Sequence, residues 1–147
     1  LERHPLARAV RIDKMSLAGL TATLLHYLKQ EAESEIPIWR MISAGEQEIK
    51  DRVERWKSQL ALPGEVISSK SAVGGGSLPG ETLPTWVLAL SCEGSAGGPE
   101  AVMRNLREAK PPVIARIEDD RVILDPRTVL PEEEDSLLTA LRDAISP

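Results

Sequence analysis

Arg8 and Arg11 are the first residues whose type and spacing suggest chemistry. Three apart, they share a face where the backbone is helical or turned, and diverge in a strand. Two converging guanidiniums form a fork that matches phosphate, carboxylate or a similar oxyanion. On spacing alone, a pair of solvated surface arginines is the commoner outcome. The second candidate is Gly74-Gly75-Gly76-Ser77, within a loop that runs from Ser71 to Gly80 between two β-branched runs. Glycine reaches positive φ and has no Cβ to hold a ligand away, so the loop first suggests a phosphate cradle. Yet it lacks the Gly-Lys-Ser/Thr of a P-loop and does not open a helix, as the phosphate-binding fingerprints require. What remains is a tight strand-to-strand turn with backbone N–H groups and the Ser77 hydroxyl available to a ligand.

Other reactive side chains read more plainly. A desolvated lysine can form a Schiff base, but Lys14 follows Asp13 just before a helix start, which favours a surface or ion-pair role. His4 and His26 have no partners at metal-ligand spacing, so no metal site is expected. Cys92 ends an apolar strand and reads as a small core residue. Arg116, Asp125 and Arg127 suggest an ion-pair set across a hairpin.

The bulk composition narrows the partners. The 147 residues are 41% apolar and 28% charged, with no Phe, one Tyr and three Trp, so the core must be mostly Leu, Ile, Val and Ala. A formal charge of -5 argues against strong binding of nucleic acid by this chain alone. One cysteine allows no internal disulfide and favours a reducing compartment. No apolar run has the length of a membrane span, and the first residues do not resemble a signal peptide. The initial Leu1 leads to the expectation of a piece of something longer.

The elements that would position these residues follow from periodicity. Leu17, Leu20, Leu24, Leu25 and Leu28 have helical spacing and predict a helix from Ser16, its expected N-cap, to about Ala32. The Pro-interrupted stretch from Ile36 to Ile42 reads as a buried linker. Ile49, Val53, Trp56 and Leu60 predict a second helix from Glu46 to about Leu62, with Glu48 and Arg52 at ion-pair spacing, stopped by Pro63-Gly64. Strands are expected at Val66–Val73 and Trp86–Leu90, a helix from Pro99 to Ala109, and a hairpin around Asp119-Asp120. A last helix follows Pro131, its acidic start suited to the helix dipole. The order β-β-α-β-β-α behind two helices is an α+β arrangement, a sheet of about four strands covered by helices and preceded by a long helix.

Several segments, in order, resemble one family. They are the run from His4 to Ser16, Ala22-Thr23-Leu24, Ile36-Pro37 with Met41, the loop from Val73 to Pro79, the run from Pro111 to Glu118, and Leu124-Asp125-Pro126-Arg127-Thr128-Val129. Together they are similar to the C-terminal part of bacterial L-seryl-tRNA(Sec) selenium transferases, or selenocysteine synthases, over nearly the whole chain. Pro126 departs from the pattern, where hydrophobic residues are common.

The resemblance implies the small C-terminal domain of a fold-type I, aspartate-aminotransferase-like enzyme dependent on pyridoxal 5'-phosphate. Residues 1–15 would link it to a large cofactor-binding domain, and residues 16–147 would form the small domain. The Schiff-base lysine would lie upstream of Leu1, as would the tRNA-binding domain, so the chain alone would be inactive and Lys14 would not be that lysine. The intact enzyme would convert seryl-tRNA(Sec) to selenocysteinyl-tRNA(Sec) with selenophosphate, as a cytoplasmic homo-oligomer built from dimers. Arg8 and Arg11 match the family's two arginine positions that hold the selenium-donor anion, which reverses the reading from spacing. Gly74, Gly75, Gly76 and Ser77 would form a loop at the mouth of the active site. Two other readings stay open: a pyridoxal-phosphate lyase or transferase acting on a small amino acid or amino sugar, and a non-catalytic oligomerisation or binding module.

Overall fold

The computed structural model describes residues 11–74, 80–95 and 97–145, and the chain divides between Ser43 and Ala44 into two compact units. In the first unit, helix α1 spans Lys14–Leu28. Its cap is Asp13 rather than Ser16: the Asp13 carboxylate accepts the backbone N–H groups of Met15 at 2.8 Å and Ser16 at 2.9 Å. Both residue types can cap. The Ser16 hydroxyl is itself a donor to Asp13, which leaves Asp13 as the acceptor for the free N–H groups. The helix ends in a left-handed turn at Gln30, with φ 58°, where the Glu31 N–H returns to the His26 carbonyl at 3.0 Å.

Two short helices follow, α2 (Ala32–Glu35) and α3 (Pro37–Ser43). The expectation of a buried linker from Ile36 to Ile42 is corrected here. Pro37 is the first residue of α3, where its fixed φ suits a helix start and its missing N–H costs nothing. Ile38 and Trp39 on this helix are exposed, not buried.

The second unit carries the sheet. Its elements are α4 (Glu46–Leu60), β1 (Gly64–Ala72), β2 (Thr82–Ser91), α5 (Gly98–Glu108), β3 (Arg116–Glu118), β4 (Arg121–Leu124) and α6 (Glu134–Ile145), with 3-10 turns at Pro126–Thr128 and Pro131–Glu133. The strands are ordered β1-β2-β4-β3 and every neighbouring pair is antiparallel. Asp119 and Asp120 both adopt positive φ, 49° and 56°, in the two-residue turn between β3 and β4.

Alternation along the strands assigns the two faces. Leu88 and Leu90 of β2 and Val122 and Leu124 of β4 point to one side. There they pack with Val53, Trp56 and Leu60 of α4, Val102, Met103 and Leu106 of α5, and Leu137, Leu138 and Leu141 of α6. Full burial of each large side chain stabilises by roughly 1.5–3 kcal/mol, so this layer dominates the unit.

On the other side Val87, Ala89 and Ile123 form a smaller buried cluster against Ile67. Arginines lie over it. Arg116 of β3 donates from Nη2 to the Ser69 hydroxyl of β1 at 3.2 Å, and Arg121 Nη1 lies 3.4 Å from Glu65 Oε2. In a flat sheet β1 and β3 would be three strand spacings apart, about 14 Å, beyond the reach of one arginine. The sheet therefore curls, making this second face concave.

Candidate functional site

Arg11 belongs to the short exposed segment that enters α1, two residues before the Asp13 cap. Arg8 lies outside the described residues, so the expected convergence of the two guanidiniums has no geometry to report. The Asp13 carboxyl is held below its ordinary value first by the Ser16 hydroxyl and then by the Ser16 N–H. Asp13 is thus an anion committed to the helix start, next to the arginine. Lys14, the first residue of α1, is exposed, as the sequence reading anticipated.

The glycine loop joins β1 to β2. Its neck is closed by the Val73 N–H donating to the Glu81 carbonyl at 3.2 Å. Gly74 and Gly80, on either side, have φ of 93° and 84°, a conformation that L side chains rarely adopt. Glycine is therefore required at both ends of the loop by backbone shape. Gly75, Gly76 and Ser77 lie outside the described residues.

Just below that neck is a polar cluster in which Asp125 and Arg127 are joined by Ser71 and Thr85, two residues that reasoning from sequence missed. Asp125, the residue after β4, accepts the Ser71 hydroxyl on one carboxylate oxygen; on the other it accepts the Thr85 hydroxyl at 2.9 Å and the Arg127 N–H at 2.9 Å. Arg127 donates from Nη1 to the Ala44 carbonyl at 3.0 Å and from Nη2 to the Pro84 carbonyl at 2.7 Å. All four residues are buried. Burial pushes the Arg127 guanidinium below its ordinary value, opposed by the nearby charge of Asp125.

The expected ion-pair set of Arg116, Asp125 and Arg127 is corrected accordingly. Arg116 pairs with Glu118 at 2.7 Å, while Asp125 is occupied by two hydroxyls and a backbone N–H. The same holds for Glu48 and Arg52: Arg52 turns inward to Glu134, 2.6 Å from Nε to Oε1.

A carboxylate that accepts three donors is a brace, not a proton shuttle. It ties the end of the β1–β2 hairpin to β4, and through Arg127 to the start of α4, which fixes the strand ends on either side of the glycine loop. Beside it a groove of about 410 Å³ opens at the end of β4, lined by residues of both sheet faces, among them Ser71, Arg116, Ile123, Leu124, Asp125 and Leu137. Cys92 is buried, and burial pushes its thiol up, so it is unsuited to act as a nucleophile. Among the described residues no cluster of His, Cys, Asp and Glu could hold a metal ion.

The family model for L-seryl-tRNA selenium transferase matches residues 1–130. This chain belongs to the L-seryl-tRNA selenium transferase family. Among curated L-seryl-tRNA(Sec) selenium transferases, that of Carboxydothermus hydrogenoformans is 39% identical over 140 residues, covering 92% of this chain and 30% of the relative. The Aquifex aeolicus enzyme is 35% identical over 150 residues, covering 99% and 32%. The Moorella thermoacetica enzyme is 40% identical over 152 residues, covering 97% and 31%. The chain thus spans about a third of the length of the selenium transferases it matches, and both Arg11 and the Asp125 cluster lie inside the matched region.

Proposed function

We propose that this chain is the C-terminal part of a pyridoxal-phosphate-dependent enzyme that converts seryl-tRNA(Sec) to selenocysteinyl-tRNA(Sec) with selenophosphate. The observation that carries the reading is the match to the selenium transferase family over residues 1–130, at about a third of the relatives' length. The four-strand antiparallel sheet with helices on one face is consistent with the small domain of a fold-type I enzyme. On this reading residues 1–15 lead from the large domain, and the intact enzyme is a cytoplasmic homo-oligomer built from dimers.

The described residues do not themselves fit a complete cofactor site. A Schiff-base lysine needs desolvation to lower its pKa. Here Lys14, Lys29, Lys57, Lys70 and Lys110 are exposed, and Lys50 lies over the Trp86 ring, 4.5 Å from its centre. No step of the reaction is therefore assigned to the cofactor on this chain. The large domain of the parent protein would hold it.

What this chain contributes is anion binding and positioning. Arg8 and Arg11 bind the selenium-donor oxyanion through charge-assisted hydrogen bonds. Asp13 fixes the start of α1 and so the place where the segment bearing Arg11 ends. Gly74, Gly75, Gly76 and Ser77 serve as an active-site loop between β1 and β2.

The test is an assay of the purified full-length protein with seryl-tRNA(Sec) and selenophosphate. Selenocysteinyl-tRNA(Sec) should accumulate, and free serine should not substitute for the charged tRNA. Turnover of a free amino acid or amino sugar, with none of seryl-tRNA(Sec), would overturn the reading.

A further inference from the structure

We infer that the outer edge of β1 is a joint between two copies of the protein, which pair their β1 strands antiparallel about a two-fold axis at Ser68. The observation that carries it is an open edge. β1 stands at the end of the strand order, and among the described residues no strand pairs with its outer side. It is also long and regular: the nine residues Gly64–Ala72 keep one unbroken register with β2, without a bulge or a proline. Natural sheets blunt such an edge by shortness, proline, a bulge or charge, because it is a template for another strand. The opposite edge is blunted in this way. β3 has only three residues, and Pro111 and Pro112 lie just upstream.

The direction of each backbone group on β1 follows from the register. Just beyond its two ends, the Val73 N–H donates to the Glu81 carbonyl at 3.2 Å and the Ser91 N–H to the Pro63 carbonyl at 3.0 Å. Hydrogen-bonded pairs alternate along an antiparallel ladder, so the odd-numbered residues of β1 bond to β2. The N–H and C=O groups of Gly64, Val66, Ser68, Lys70 and Ala72 therefore point away from the sheet. They form a row at the spacing a further strand requires. There is room for one. A groove of about 600 Å³ flanks the first half of the edge, between Glu54, Lys57 and Ser58 of α4 and Glu65, Val66 and Ile67 of β1. Ser68, Lys70 and Ala72, along the second half, are exposed.

Charge and symmetry select a second copy. An axis at Ser68 is the one that engages all nine residues. It sets Ser68 opposite Ser68, Val66 opposite Lys70 and Gly64 opposite Ala72, so every outward residue meets another. On the other face Ile67 meets Ser69 and Glu65 meets Ser71. Like charges stay apart: the two Lys70 residues are separated by about 14 Å along the ladder and the two Glu65 residues by about 20 Å. The edge carries one acid and one base, and so does the groove wall, on a chain of formal charge -5. It is therefore a neutral strip where two acidic copies can approach. An isologous pair closes on itself, and the only free edges left in the joined sheet are the two short β3 strands.

The experiment uses the full-length protein with Ser68→Cys. Facing Cα atoms of a hydrogen-bonded antiparallel pair are about 5.5 Å apart, within the span of about 4.4–6.8 Å that a disulfide bridges. Cys92, the chain's own thiol, is buried. The protein is oxidised with copper phenanthroline and its non-reduced digest is read by mass spectrometry. The expected product is the peptide carrying position 68 joined to itself, which requires two copies. Glu65→Cys is the control, at a side chain 72% exposed, where random collision is favoured and the register forbids a link. Absence of the 68–68 product would assign the edge to solvent or to another segment, and a 65–65 product in equal yield would mark collision. Either result overturns the inference. An oligomer without the 68–68 product would keep the reading of a homo-oligomer, and no outcome bears on whether the protein makes selenocysteinyl-tRNA(Sec), so the readings fail separately.

Discussion

Thr85 on β2 donates its hydroxyl to Asp125 Oδ1 at 2.9 Å, joining residues 40 apart in sequence at a site where Thr85 is 1% exposed. Ser71 of β1 occupies the other carboxylate oxygen, so one aspartate collects hydroxyls from both strands of the hairpin that carries the glycine loop. Replacing it by alanine leaves two buried hydroxyls and the Arg127 N–H without this acceptor. Each orphaned group costs about 1–3 kcal/mol. With three such groups, Asp125→Ala should therefore lower stability by at least about 3 kcal/mol, read as a lower urea midpoint with an unchanged slope. Asp125→Asn keeps the shape and an acceptor oxygen, and should lose less. A midpoint for Asp125→Ala within error of the original would show that the cluster is not a brace.

Arg52 and Glu134 give a second test. Their side chains are 7% and 18% exposed, and Arg52 also donates to the Val129 carbonyl at 2.7 Å. Removing one partner of a buried pair leaves an uncompensated charge and costs about 3–5 kcal/mol, whereas replacing both by apolar residues of similar volume is often close to neutral. Arg52→Ala should thus be strongly destabilising and Arg52→Met with Glu134→Leu much less so, in urea unfolding of all variants. Simple additivity of the two single losses would contradict this.

The carboxylates of the first unit predict the direction of its response to pH. Asp13 is lowered by the Ser16 hydroxyl and N–H; Glu31 is lowered first by His26, whose Nδ1 lies 2.9 Å away, and then by Lys29. Because both folded values lie below the ordinary carboxylate range, both contributions are present above about pH 4 and are lost as pH falls through the folded values. Helicity by circular dichroism should fall at both ends of α1 below about pH 4, and Asp13→Asn should reduce the acid step. A helical signal that rises on acidification would contradict the assignment.

How much of this was legible in the sequence depends on range. Strands β1 and β2 and the Asp119-Asp120 turn were readable because β-branched runs and turn residues act locally. The α1 stripe was readable as a helix, but its periodicity could not say that the leucines are exposed, because that depends on what surrounds them. The cap moved from Ser16 to Asp13 because the leucine spacing fixes a face and leaves the first turn undefined. α3 was hidden by an apolar, proline-containing stretch whose density suggested burial. The Asp125 cluster was illegible for a different reason: Ser71, Thr85 and Asp125 meet only through strand register and sheet curl, which no local pattern encodes. Arg8 and Arg11 stood out only by resemblance, since two arginines three apart are ordinary on any surface.

The most direct test of the chain's role in selenium transfer is the single-turnover rate of selenocysteinyl-tRNA(Sec) formation by full-length Arg8→Ala and Arg11→Ala. A charge-assisted hydrogen bond is worth about 1.5–3 kcal/mol, so each variant should lose roughly ten- to hundredfold in rate at subsaturating selenophosphate. The cofactor absorbance and the binding of seryl-tRNA(Sec) should be unchanged. Rates equal to the parent enzyme in both variants would contradict the account.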